Sequence, residues 1–149
     1  MLEPPHTYPN RIVERNSFMK DTWLYHRGDI YLVDLGKPIG SVQGGCRPAV
    51  VIQNDIGNQY GPTLIVAPIT SRIWKKAEQP THCRLDKMEC LSDSSMVLLE
   101  QITTIDKSLI KKYLGKFDKS QMNKIDYCIK ISLGLCKIAR AEIFTEGKL

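Results

Sequence analysis

Gly44-Gly-Cys-Arg-Pro-Ala-Val-Val-Ile-Gln53, followed by Thr63-Leu-Ile-Val-Ala-Pro-Ile-Thr-Ser71, is the stretch on which the fold turns. Pro48–Gln53 and Thr63–Ala67 are short runs rich in β-branched residues, each bounded by turn formers, which is the signature of strands. Pro68 removes a backbone N–H and so places an edge or a bulge at the far end of the second run. Asn54-Asp-Ile-Gly-Asn58 between them has turn chemistry.

Working outward, Asp29-Ile-Tyr-Leu-Val-Asp-Leu35 is a further strand-like run. The loop after it, Gly36–Gly45, holds Gly36, Gly40, Gly44, Gly45 and Pro38, a composition that permits unusual backbone angles. Downstream, Thr81–Leu85 and Met96–Thr103 are strand candidates, and Ser108–Tyr113 is expected to form a short turn of helix. From Ser120 to Ile138, Met122, Ile125, Cys128, Ile129 and Cys136 recur at helical steps. Ser120 is the expected N-cap. Ile131, Leu135 and Ile138 widen the apolar stripe, so the helix should pack on a sheet and has surface to spare for a second subunit. A mid-helix Gly134 would mark close backbone approach. The expected class is mainly β with α: a small, strongly bent sheet or partly open barrel with a C-terminal helix packed on it.

At 149 residues and 16.9 kDa, with 42% hydrophobic residues, the chain has enough for one modest core. The proline-bearing, aperiodic residues 1–26 read as an extension or docked arm, 27–140 as the domain and 141–149 as a tail. No apolar run approaches the roughly 20 residues that cross a bilayer, and the N-terminus lacks the plan of a secretory signal. Cys46, Cys83, Cys90, Cys128 and Cys136 are odd in number and scattered, with no C-x-x-C pair. That points to reduced thiols in a cytoplasmic protein without a structural metal. The net charge of +5 is concentrated between Asp106 and Lys137, where eight lysines meet three aspartates. A surplus of this kind suits a polyanion or an acidic protein, and equally a solvated helix face.

There is no P-loop, Rossmann glycine fingerprint, H-E-x-x-H or G-x-S-x-G. His6, His26 and His82 form no pair by position. What remains is Arg47 directly after paired glycines, and Thr70 and Ser71 at the end of the next strand. Glycines let backbone approach a ligand, and an arginine offers a planar fork of donors suited to phosphate. If the two strands are neighbours, a guanidinium and a hydroxyl converge at one end of the sheet. The same residues are also compatible with a turn and an ion-paired arginine.

Gly28-Asp-Ile-Tyr31, Gly40-Ser-Val-Gln-Gly-Gly-Cys-Arg-Pro-Ala-Val-Val-Ile-Gln-Asn-Asp55, Thr63–Ser71, Leu98-Leu-Glu-Gln-Ile102 and Thr104-Ile-Asp-Lys107 resemble, in order, the MazF/PemK toxins. The resemblance spans about Gly28 to Ile138. It implies a homodimer of SH3-like barrels, each of five to seven short strands. It also implies a sequence-specific, metal-independent endoribonuclease, or mRNA interferase. Such an enzyme cuts single-stranded RNA to 2′,3′-cyclic phosphate and 5′-hydroxyl ends and is neutralised by a cognate antitoxin. On that resemblance Arg47 and Thr70 are the catalytic pair, and no cofactor is implied. Gln43, Gly45, Ser71 and Gln101 are candidates to line the RNA groove, with Tyr31, Tyr60 and Trp74 as stacking surfaces. Two positions depart from the family pattern: Val42 stands where relatives often carry an acidic residue, and Thr103 where they commonly carry arginine. The alternatives are a non-nuclease toxin of the same fold that poisons a topoisomerase, and an inactive paralogue that only binds antitoxin.

Overall fold

Among the described residues, seven strands and two helices follow one another as β1 (Asp29–Asp34), β2 (Cys46–Val51), α1 (Asp55–Tyr60), β3 (Thr63–Thr70), β4 (His82–Leu85), β5 (Ser95–Leu98), β6 (Thr103–Asp106), β7 (Ile110–Lys116) and α2 (Lys119–Ser132). The computed structural model describes residues 24–72, 79–85, 88–91 and 94–137. The strands form an antiparallel sheet in the order β4-β5-β3-β2-β1-β7, with β6 also on β3, and no pairing among the described residues closes it.

The bend has a visible cause. The β1–β7 ladder slips between Ile30 and Tyr31 and again between Leu32 and Val33, and each bulge adds twist and curvature. β3 carries three partners. Val66–Pro68 face β2, Thr63–Val66 face β6, and Ile69–Thr70 face β5. Pro68 thus falls where the β6 ladder has ended and the β5 ladder has not begun, so its missing N–H costs no bond on that side.

Strand alternation feeds two cores. Ile30, Val50, Ala67, Ile69 and Val97 pack with Phe117, Ile125 and Cys128 beneath α2. On the other face, Tyr31, Val33, Ala49, Val51, Leu64, Val66 and Ile105 form the second core. Tyr25, from the end of the N-terminal arm, joins this second core and meets the Tyr31 ring edge-on at 5.5 Å.

Four local expectations are corrected. Ser108–Tyr113 is not helical: a 3-10 turn at Lys107–Leu109 leads straight into β7. Asn54–Asn58 is a helix start rather than a plain turn, because the Asn54 side chain accepts the Gly57 N–H and caps α1. The cap of α2 is Asp118, not Ser120. Its carboxylate accepts the Gln121 N–H at 2.8 Å while the Gln121 side chain accepts the Asp118 N–H, a reciprocal capping box. Finally, Gly134 ends the helix instead of lying within it. With φ +71°, its N–H donates to Ile131 and that of Leu135 to Lys130, the Schellman pattern, and nothing lies near a Cβ built there. Leu135 is therefore exposed rather than part of a buried stripe. Ile138 and the tail lie outside the described residues, as do residues 1–23 of the extension.

Replacing Asp118 with alanine should cost about 1 kcal/mol, the usual value of an N-cap, read as a lower urea midpoint with an unchanged slope. Thiol chemistry gives a second check. Cys83 is hydrogen-bonded to Cys128 and buried, which pushes its thiol far above the ordinary range, whereas Cys46 is exposed. A thiol-specific dye should modify Cys46 in the native protein and reach Cys83 only on unfolding, as peptide mapping by mass spectrometry would show.

Candidate functional site

The two residues singled out on chemical grounds arrive together through chain geometry. β2 and β3 run antiparallel through α1, so the start of β2 and the end of β3 lie at the end of the sheet away from α1. The ladder pairs Val51 with Val66, Val50 with Ala67 and Ala49 with Pro68. The ladder ends there, and the same register carried two residues further would set Arg47 opposite Thr70. Both also belong to one face: Ala49 and Val51 in β2, and Leu64 and Val66 in β3, point into the second core. Alternation carries Arg47 and Thr70 to the same side, at its rim.

Arg47 is half-buried. Its Nε donates to the Gly44 carbonyl at 2.8 Å, and nothing among the described residues engages its terminal nitrogens. One arm of the guanidinium is therefore anchored and the remaining fork is presented. Thr70 is only 3% exposed, and its Oγ1 accepts the Arg72 N–H at 3.2 Å, which leaves the hydroxyl hydrogen to donate elsewhere. Ser71 follows it, exposed.

The glycine-rich loop that delivers Arg47 is built, not loose. Gly45, at φ +74°, donates its N–H to Gly36 at 2.7 Å and accepts the Leu35 N–H at 3.0 Å, closing the loop at its base. Gly44 lies against Pro38 so tightly that a Cβ would fall 2.4 Å from the Pro38 nitrogen. The Gln43 N–H donates to Gln101 Oε1 at 2.7 Å, and Gln101 Nε2 donates to the Ser41 carbonyl at 3.1 Å. Gln43 Oε1 is enclosed with no hydrogen-bond partner among the described residues.

The structure thus gathers Gln43, Gly45, Arg47, Thr70, Ser71 and Gln101 around one end of the sheet. It does not bring the stacking candidates there. Tyr31 is a core residue whose hydroxyl reaches the Leu24 carbonyl and Asp29, and Tyr60 is exposed on α1 at the opposite end. Trp74, with Lys75 and Lys76, lies outside the described residues. Of the two departures, Val42 is exposed on the loop and Thr103 is exposed on β6 opposite Val66. Pro38, Ser41 and the Arg72 N–H were not visible as contributors in the sequence. The paired glycines signalled a tight approach but not what they approach.

Part of the lysine surplus has an architectural account. Lys111, Lys112 and Lys116 are exposed along β7, the strand at one end of the sheet. Charges there discourage edge-to-edge pairing with another chain. No helix among the described residues is long and apolar enough to cross a membrane.

A bent antiparallel sheet with one packed helix defines a recognisable architecture. Solved structures share that fold. An endoribonuclease in complex with its cognate antitoxin, from a mycobacterial species, aligns with a TM-score of 0.64 at 24% identity, covering 77% of this chain and 100% of its own. MazF from Deinococcus radiodurans aligns at 0.63 and 22%, covering 75% and 98%. The Mycobacterium tuberculosis toxin MazF-mt6 aligns at 0.61 and 20%, covering 73% and 99%. The model of the PemK-like, MazF-like toxins of type II toxin–antitoxin systems matches residues 26–133, and the chain belongs to that family.

Proposed function

We propose that this protein is a sequence-specific, metal-independent endoribonuclease toxin, an mRNA interferase acting on single-stranded RNA in the cytoplasm. The observation that carries the reading is the placement of Arg47 and Thr70 on one face at one end of the sheet, in a chain of the PemK/MazF family. The reaction is an internal transesterification. The 2′-oxygen of the substrate loses its proton and attacks the adjacent phosphorus. The bond from phosphorus to the 5′-oxygen breaks, and that oxygen takes up a proton. The products are a 2′,3′-cyclic phosphate and a 5′-hydroxyl end, so the protein need supply neither nucleophile nor metal.

Negative charge grows on the phosphoryl oxygens in the transition state, where the anchored fork of Arg47 stabilises it. An arginine stays protonated near neutrality, which suits it to this role rather than to that of a base. Thr70 donates its hydroxyl hydrogen to the same phosphate from the rim. Gln43, Gly45 and Ser71 line the path of the strand. The active form is a homodimer of the 27–140 domain. A cognate antitoxin blocks the basic groove, as suggested by a related endoribonuclease that is known in complex with its own antitoxin.

The test is to incubate the purified protein with mixed RNA in excess EDTA and sequence the new 5′-hydroxyl ends. Cleavage at one short recurring sequence, undiminished by the chelator, is the expected result. Intact RNA, or cleavage restored only by added divalent ions, contradicts the proposal.

A further inference from the structure

The 3-10 turn at Leu99–Gln101 joins β5 to β6, and its three residues reach in three directions. β5 pairs with β3 through Val97 and Ile69, and β6 through Thr103 and Val66. The turn takes up the offset between these two ladders, so its position is set by both. Leu99 is fully buried beneath α2, and its carbonyl accepts the Ser132 hydroxyl at 2.7 Å. The Glu100 carboxylate meets His82 Nε2 at 2.8 Å and accepts the Thr81 hydroxyl at 3.2 Å, which fixes the turn to β4 and the residue before it. Gln101 is thus mounted on a support held from two sides, and it extends toward the glycine-rich loop.

There its carboxamide grips the loop twice. Oε1 accepts the Gln43 N–H at 2.7 Å and Nε2 donates to the Ser41 carbonyl at 3.1 Å. The residue after Gln43 is Gly44, whose carbonyl holds Arg47 Nε. A continuous chain of hydrogen bonds and one covalent step therefore runs from the buried turn to the guanidinium.

We propose that Gln101 is a positioning residue for Arg47: its side chain latches the glycine-rich loop in the conformation that aims the guanidinium, and does not itself bind RNA. Both ends of the carboxamide already work within the protein, and the residues they hold precede the carbonyl that orients the arginine. The inference deepens the nuclease reading and rests on it for its kinetic consequences.

Steady-state kinetics on an oligoribonucleotide carrying the mapped cleavage sequence tests it. Gln101→Ala should lower kcat at least tenfold with KM within threefold of the wild type. In an Arg47→Ala background the same substitution should produce no further loss, because its effect is transmitted through the arginine. Gln101→Glu, which keeps the acceptor for the Gln43 N–H, should fall between. A raised KM with kcat preserved, or losses that multiply in the double variant, would overturn the proposal in favour of direct RNA contact. Amide hydrogen exchange gives a readout independent of activity. In Gln101→Ala the Gln43 amide should exchange at least tenfold faster while β1 amides keep their protection, and unchanged exchange at Gln43 refutes the latch. Should the wild type leave RNA intact, the nuclease reading falls and the exchange measurement still decides the latch.

Discussion

Arg47→Ala should lower kcat/KM for RNA cleavage roughly a hundredfold or more, equivalent to about 3 kcal/mol of transition-state stabilisation, the usual effect of removing one preorganised charge-stabilising donor. The fold should survive. The side chain is half-buried at the rim, and the hydrogen bond it loses to the Gly44 carbonyl is worth about 1 kcal/mol. A urea midpoint close to that of the wild type, measured on the protein used for kinetics, separates a chemical loss from unfolding. Arg47→Lys should fail to restore the rate. An ammonium is a point charge without the planar fork, and it has no Nε to hold the Gly44 carbonyl while the terminal nitrogens face the phosphate. A lysine variant with near-wild-type activity would show that charge alone suffices.

Gly44→Ala should be the most damaging single-methyl change in the loop. The new Cβ would sit 2.4 Å from the Pro38 nitrogen and 2.6 Å from its Cα, backbone atoms that can move only if the loop moves. Overpacking of this kind typically costs about 1–3 kcal/mol, and here it also displaces the carbonyl that orients Arg47. Stability and kcat should therefore fall together. Gly45→Ala is the control. At φ +74°, with open space around a built Cβ, it meets backbone strain of about 1–2 kcal/mol but no clash. Thermal unfolding and cleavage rates of the two variants should rank Gly44→Ala well below Gly45→Ala. Equal behaviour would mean that the Pro38 contact does not shape the loop.

The site was more legible than some of the elements that frame it. Arg47 and Thr70 stand at the ends of two short apolar runs, so antiparallel pairing alone brings them to one end of the sheet. β7 was misread for a specific reason. Ile110, Tyr113 and Leu114 recur at three- and four-residue steps, which imitates a helix. In the structure Val33 pairs with Ile110, Leu32 with Lys112 and Tyr31 with Tyr113, and the slips leave Lys111 and Leu114 without opposite partners. A bulge changes side-chain parity, and two bulges in seven residues erase the period of two by which a strand is recognised. The Met96–Thr103 run reads as one strand because Met96–Leu99 and Ile102 are apolar, yet it breaks at the 3-10 turn that carries the intervening Glu100 and Gln101 and sets Gln101 against the loop.

The ends of α2 teach a related lesson. Asp118-Lys-Ser-Gln121 carries a complete capping box in plain sequence, and Ser120 competes for attention only because serine is also a good cap. Gly134 looked internal because apolar residues continue beyond it at helical spacing. Its left-handed backbone shows that Leu135 belongs to the stop signal rather than to the helix face. The burial of Thr70 was not legible at all. It accompanies the exchange by which β3 gives up β6 and takes β5 as its neighbour just before its end, a feature of topology that no local pattern encodes.

The most direct test of the shared site is nuclear magnetic resonance with a substrate that binds but cannot react: the mapped RNA sequence with 2′-deoxyribose at the cleaved position. Titrated into labelled protein, it should shift the Arg47 Nε–H and the Thr70 amide together, with one saturation curve, along with the loop amides Gln43 and Gly45. Saturable shifts confined to the cleft between β4 and α2, around His82, Lys124 and Tyr127, with Arg47 and Thr70 undisturbed, would contradict the account.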